Sequence, residues 1–414
     1  MVMGKRFLNE KTKDVFLGSN AIDKLNEVLS AYMPYQKVMM ITTSKMKEKY
    51  NSYYETLLKQ IKNPNLEYVF AKKVNANKEA ASKFLGEVTE EVACLVVFGS
   101  GQIIELVKVV AFIREIPYII VPTTHVEPQH FLKTAKLKVN DLMQCYKVNA
   151  PLAVLLEESL MTAQNKISVI HTFCNVVSVS MQLLDEFLVN VSAGSTLFPK
   201  HFHALKQIIY ETLAMQNELY NYSKKATLLL MNQSLKMGLI MQSLNPTNID
   251  SATLCSNAFF KLRKKTKVPY SYYKIVHGLF LVNIYESFIK TLKINNFFSA
   301  NVQSRLKMGK KFCSEHALKN NLVENLVECE HLKLSCYQMK EYEDEIIKEL
   351  NEVRQILKSA YTVLKRMNLP LSYYVEKTLN IDDIKLSICL APDLTKTDNF
   401  LKIMCRFGVL DYAF

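Results

Sequence analysis

The run VVFGSGQIIELVK, residues 96–108, decides how this chain is read. Three apolar residues lead into Gly99-Ser100-Gly101, and a helical pattern starts at Gln102. An apolar strand of this kind requires a sheet covered on both faces. Glycines at the turn let a ligand approach the backbone closely. The helix start offers unpaired N–H groups and a positive dipole end, a setting suited to phosphate. A Gly-Ser-Gly turn after a strand is equally the signature of a plain tight turn, so its surroundings carry the argument.

Working outward, the same alternation repeats. KVMMITT (37–43), YVF within 66–74, CLVVFGS (94–100), PYIIVPTT (117–124) and LAVLLEE (152–158) read as strands. Helical patterns lie between them at Ala21–Leu29, Lys45–Ile61, Lys78–Thr89 and Ile103–Arg114. Strands alternating with helices predict a parallel sheet with helices on its faces. The more polar HFLKTAKLKVNDLMQCYKV (130–148) predicts a hairpin leaving that sheet. Loops at the carboxyl ends of neighbouring strands are where open α/β sheets bind ligands. On that rule Gly99, Ser100, Gly101 and Gln102, facing Thr123 and Thr124, are the candidate cofactor-binding residues.

Past residue 158 the strand signals fade. Helical periodicity covers 166–190, 199–222, 224–242, 250–264, 271–292 and 338–368. In the last run Ile346, Leu350, Val353, Leu357, Ala360, Leu364 and Met367 form one apolar stripe, expected to face a helical core. The domains are therefore expected at 1–158, a Rossmann-like α/β unit, and 159–414, all-helical.

Composition narrows the function classes. Half the chain is apolar, 49% of 414 residues, enough for a sizeable core. The net charge of +13 raises nucleic acid as a partner. The lysines are nevertheless scattered among Asn, Glu and Asp, and the densest run, KLRKKTK (261–267), reads as a solvated helix end. No nucleic-acid-binding signature accompanies them. No segment has the uninterrupted apolar length of a membrane span, and MVMGKRFLNEKTKD places charges where a leader needs apolar residues, so a cytoplasmic protein without membrane insertion is expected. The nine cysteines are odd in number and sit mostly in apolar runs, as small hydrophobes do. Cys313, His316, Cys329, His331 and Cys336 superficially suggest zinc, but their spacings match no common finger. No motif for nucleophilic catalysis is present.

Taken in order, these features resemble the bacterial glycerol-1-phosphate dehydrogenases, within the superfamily of iron-containing alcohol dehydrogenases and dehydroquinate synthases. Gly18-Ser19 is similar to the opening turn of that family. Gly99–Gln102, with Glu105 and Lys108, is similar to its glycine-rich turn, which normally reads Gly-Gly-Gly-Ser followed by Asp and Lys. Ala150-Pro151, Gly238–Met241, Asn245-Pro246, His277-Gly278 and the closing NLPLSYYVEKTLNI through FGVL follow in the family order, without its usual paired arginines. The resemblance implies a dehydroquinate synthase-like fold, NAD or NADP as cofactor, homodimers or larger oligomers, and reduction of dihydroxyacetone phosphate or a related small phosphorylated ketone. It also implies a divalent ion (zinc, nickel or iron) held by one aspartate and two histidines of the helical half, polarising the carbonyl during hydride transfer.

The chain departs from the pattern at that metal. Counting back from Asp185 by the family spacing gives Asn175, and Ala252 and Ser256 stand where histidines are expected. Only His277 remains. The acid usual after Pro-Thr-Thr is also absent, with HVEPQHF (125–131) in that loop. His171, one helical turn before Asn175, is the replacement donor closest in sequence, with His125, Glu127 and Asp250 in the neighbouring loops. A set of His277, Asn175 and His171 contains no anionic ligand, too few donors for a tight divalent site. Two readings follow: an NAD(P)-dependent polyol-phosphate dehydrogenase with a rearranged centre, or a catalytically inactive relative that binds a protein partner or joins a larger assembly.

Overall fold

The computed structural model describes residues 11–71, 74–124, 126–140, 142–163, 166–195, 201–244, 249–262, 270–292, 329–367, 381–395, 399–407 and 410. His125, Asn245-Pro246, Cys313, His316, most of KLRKKTK and most of the closing segment lie outside these residues, as do the side chains of Cys329 and His331. The described residues form two compact units. The first comprises the chain to Val139, Cys145–Thr172 and Tyr222–Thr247; the second comprises Asn140–Gln144, Phe173–Asn221 and the remainder from Asn248.

The first unit is built on strands β1 (Asp14–Gly18), β2 (Lys37–Thr43), β3 (Asn65–Phe70), β4 (Val92–Gly99), β5 (Tyr118–Pro122) and β8 (Ala153–Glu157). They pair in the order β1-β8-β5-β4-β2-β3, and every pairing is parallel. The central strands are buried on both faces, as their unbroken apolar runs require. Helices α1 (Leu25–Tyr32), α2 (Ser44–Lys49), α3 (Asn51–Gln60), α4 (Lys78–Glu87) and α5 (Gln102–Ile113) connect them. A separate ribbon, β6 (Thr134–Val139) with β7 (Leu142–Lys147), is the expected hairpin.

Two details differ from the sequence reading. The helix expected over Lys45–Ile61 is broken at Tyr50, whose backbone leaves helical geometry at φ −123°, ψ 36°. Strand β1 was not expected from DVFLG, because it is an edge strand with alternating exposure and lacks the apolar signal of the centre.

Beyond β8 come α6 (Glu158–Thr162), α7 (Lys166–Ser192), α8 (Phe202–Ala214), α9 (Gln216–Tyr220), α10 (Lys224–Leu244), α11 (Ser251–Leu262), α12 (Tyr270–Thr291), α13 (Cys329–Glu341), α14 (Glu343–Arg366), α15 (Ile381–Leu390) and α16 (Phe400–Arg406). The run expected as 199–222 is interrupted at Met215, and that expected at 338–368 at Tyr342, where α14 begins. All seven residues of the apolar stripe are buried. Gly278 of α12 brings that helix close to two neighbours: an added Cβ would lie 3.0 Å from Leu357 Cδ1 of α14 and 3.1 Å from Met181 Cγ of α7. Helix α7 is the one described helix long and apolar enough to cross a membrane, yet 83% of its most apolar window is buried, as in a core helix.

Helix α10 belongs to the first unit. At Gly238 an added Cβ would come within 2.6 Å of Pro128 O and 2.7 Å of the Phe131 ring, so only glycine allows this approach. Ser234 Oγ donates to Val126 O at 2.9 Å and Gln242 Nε2 to Phe131 O at 2.6 Å. Residues 126–131 are thereby fixed beside the turn that follows β4.

Candidate functional site

Strand order reverses between β2 and β4: the chain steps outward from β2 to β3, then returns to place β4 on the other side of β2. Such a switch point opens a crevice at the carboxyl ends of the strands. Thr42 Oγ1 donates to Phe98 O at 2.8 Å and ties the two strand ends together. The turn Gly99–Gly101 leaves β4 directly into α5. Gly101 has φ 64°, ψ −126°, a conformation open in practice to glycine alone. A Cβ on Gly99 would sit 2.6 Å from Ile103 Cγ2.

The residues singled out in the turn and in the β5 loop come together. Thr123 N donates to Gly99 O at 3.2 Å, and the Ser100 and Thr124 hydroxyls are hydrogen-bonded to each other. Gln102 is the exception, because its Oε1 accepts from Ala76 N at 3.0 Å and is engaged away from the turn. The crevice thus offers backbone, two hydroxyls and the start of α5, a chemistry suited to phosphate oxygens.

One neighbour was not legible in the sequence. His130 is buried, with Nε2 3.2 Å from Gly101 N and Nδ1 3.3 Å from Glu127 N. A short turn over Pro128–Phe131 puts it there, and HVEPQHF alone gives no sign of it. Behind the turn, Lys108 is fully buried. Its ammonium donates to Glu105 Oε1 at 3.2 Å, Gln129 O at 2.6 Å and Thr134 O at 3.1 Å, while Glu105 Oε2 accepts from Lys136 N at 2.6 Å. Burial pushes the Lys108 pKa down and the Glu105 carboxylate opposes that shift. Glu105 and Lys108 therefore brace the turn from behind, pinning α5 to the hairpin and to residues 126–131.

Apart from His171, the helical unit holds the other candidate residues. Asn175 on α7 is buried, and its Oδ1 accepts a hydrogen bond from the Lys274 ammonium of α12 at 2.8 Å. Ala252 is buried on α11 and has no donor atom in its side chain. Ser256 Oγ donates to Ala252 O at 2.8 Å. His277 is fully buried, and burial lowers its pKa to about 4, so the ring is neutral. Its Nδ1 lies 2.8 Å from Tyr273 O, which can only accept, so Nδ1 carries the hydrogen. Nε2 then faces the Ser387 hydroxyl at 3.0 Å. His171 is part-buried on α7 in the first unit.

This donor set does not fit a divalent ion. Asn175 already serves an ammonium, Ala252 supplies nothing, and His277 has Nδ1 committed to Tyr273 O with Ser387 Oγ 3.0 Å from Nε2. Among the described residues, no three His, Cys, Asp or Glu side chains gather in an arrangement that could hold a metal. The nearby carboxylates have other work. Asp250 caps α11 by accepting from Thr253 N at 2.7 Å and Thr253 Oγ1 at 2.6 Å. Asp185 accepts from Ser251 N at 2.6 Å and Tyr285 OH at 2.9 Å, and burial pushes its pKa up to about 7.

Comparison with known proteins bears on both units. Residues 16–163 match the family model of iron-containing alcohol dehydrogenases. No curated protein sequence matches the chain. Among solved structures the chain is similar to an alcohol dehydrogenase from Oenococcus oeni, at TM-score 0.61 and 12% identity over 97% of this chain and 98% of that one. It is also similar to maleylacetate reductase from Rhizobium sp. strain MTP-10005 (TM-score 0.59, 12% identity, 94% and 92% covered). A third is glycerol dehydrogenase from Schizosaccharomyces pombe (TM-score 0.54, 12% identity, 90% and 93% covered). At these identities the likeness establishes a shared fold: a parallel α/β unit followed by helices.

Proposed function

We propose that this chain is a nucleotide-binding protein of the iron-containing alcohol dehydrogenase fold that has given up metal-assisted ketone reduction. On this reading its first unit binds NAD or NADP, and the protein acts through that binding or through a protein partner. The observation that carries the proposal is the Asn175–Lys274 hydrogen bond, which uses the donor that a divalent ion would need. Reduction of a ketone develops negative charge on its oxygen, and stabilising that charge is usually the largest part of the catalysis. Among its described residues the helical unit offers no metal-ligand set for the task.

In the first unit, Gly99 and Gly101 would let phosphate oxygens approach the backbone, and the start of α5 would supply favourable dipole. The Ser100 and Thr124 hydroxyls, now bonded to each other, would turn toward the same oxygens. The test is titration of the purified protein with NADH and NADPH, followed by an assay with dihydroxyacetone phosphate. Saturable binding without turnover supports the proposal; turnover at ordinary enzyme rates contradicts it.

A second reading is NAD(P)-dependent reduction of dihydroxyacetone phosphate or a related small phosphorylated ketone, as in glycerol-1-phosphate dehydrogenases. The Glu105 and Lys108 contacts behind the turn are consistent with it, since an active enzyme, like a nucleotide-binding protein, needs this loop held in place. The same assay decides between the two. Homodimeric assembly is part of either reading, and light scattering at micromolar concentration tests it.

A further inference from the structure

The helical unit contains a lysine almost wholly out of water. Lys274 is 4% exposed and lies in the apolar run YSYYKIVHGLFLV of α12. A buried ammonium is costly unless hydrogen bonds replace its water. Here it meets Asn175 Oδ1 at 2.8 Å and lies 5.6 Å from the centre of the Tyr270 ring, whose face attracts cations. Lys274 and His277 are three residues apart on one helix, so they share a face. An ammonium and a divalent ion would need the same amide oxygen, and a metal ion would sit closer to it, at about 2.0–2.2 Å. Both cannot be seated, and their like charges would repel in a low-dielectric interior.

We propose that Lys274 is the resident cation of the helical unit: seated on Asn175 Oδ1, its ammonium excludes a divalent ion and links α7 to α12 in the ion's stead. Two substitutions relative to the family pattern then form one set. A neutral amide at 175 accepts the lysine and Ala252 removes a competing imidazole, while Ser387 Oγ lies 3.0 Å from Nε2 of His277. The inference extends the reading given under the proposed function by naming the residue that enforces it.

The experiment uses the full chain and zinc chloride alone as probe. With the wild type, neither EDTA nor excess zinc should move the melting temperature by more than about 1 °C, because a ligand that does not bind the native state cannot stabilise it. In the variant Asn175→Asp/Ala252→His, which keeps Lys274, zinc affinity should stay at least about tenfold weaker than in the same variant carrying Lys274→Ala. Equal affinity with and without Lys274 would overturn the proposal, as would a wild type holding one zinc per chain that Asn175→Ala releases. A second series does not depend on metal. Lys274→Met should lower the melting temperature by leaving a buried amide oxygen unsatisfied, and adding Asn175→Leu should recover at least about half of the loss. Strictly additive losses would show that the two residues do not act as a pair. Titration with NADH reports the nucleotide reading separately: a protein that fails to bind NADH while meeting every zinc expectation refutes that reading and supports the role of Lys274.

Discussion

The turn after β4 and the buried Asn175 neighbourhood are built in opposite ways. At the turn, the special features are glycine ones: Gly101 holds a glycine-only conformation, and a Cβ on Gly99 would sit 2.6 Å from Ile103 Cγ2, which would have to shift. Its hydroxyls, Ser100 and Thr124, are hydrogen-bonded to each other, and a hydroxyl can rotate toward another acceptor. Asn175 and His277 are buried, and their polar atoms lie against protein groups: an ammonium for Asn175, a carbonyl and a serine hydroxyl for His277. A binding site keeps groups whose partners are exchangeable; a structural core keeps groups whose partners are permanent. On this contrast the turn has the build of a site and the Asn175 neighbourhood that of a core.

The sharpest way to break the contrast is to disturb the support of the turn. Lys108→Met leaves two carbonyls and the Glu105 carboxylate without their shared donor. Loss of one partner of a buried pair costs about 3–5 kcal/mol, so chemical denaturation should show a loss of that order. A loss below about 1 kcal/mol would mean that Glu105 and Lys108 do not brace the turn.

Next in size is Gly101→Val. A β-branched residue is strained at φ 64°, in the turn proposed to meet the phosphates. NADH affinity, followed by fluorescence, should fall at least about tenfold. Unchanged affinity would place the nucleotide elsewhere.

Asp185 tests the core character of the second unit through pH. Its folded pKa, raised to about 7 by burial, exceeds the value of an exposed aspartate. Between those two values the folded state binds more protons than the unfolded one. Its contribution is therefore fully present at low pH and is lost as pH rises toward 7, by up to about 1.4 kcal/mol per pH unit. Asp185→Asn should flatten this part of the pH–stability profile while keeping an acceptor for Ser251 N and a partner for Tyr285 OH. A slope that survives the substitution would assign it to another group.

The smallest effect is expected at Gly278→Ala. Alanine favours the helix by roughly 1 kcal/mol over glycine, but its methyl would press on Leu357 and Met181 at 3.0–3.1 Å. A net change within about 1 kcal/mol is expected, and a larger loss would show that α7, α12 and α14 cannot yield.

Much of the first unit was legible because central parallel strands announce themselves. KVMMITT and CLVVFGS are apolar on both faces and admit no other reading. Strand β1 was missed because an edge strand needs only one covered face. The turn residues could be named from the sequence, since glycines between a strand and a helix have a local cause. His130 could not, because its place depends on α10 pinning residues 126–131 through Gly238, more than a hundred positions away. Likewise Asn175 could be singled out through the family resemblance, while its partner Lys274 lies 99 residues on. The sole local hint was a charge in the middle of an apolar helix.

One measurement tests the contrast most directly: nucleotide and metal stoichiometry on the same chelator-free preparation of the wild type. NADH titration and elemental analysis should give saturable binding of about one nucleotide per chain together with far less than one zinc, nickel or iron. Stoichiometric metal that disappears on His277→Ala would contradict the account, and would make the Asn175 neighbourhood a working site after all.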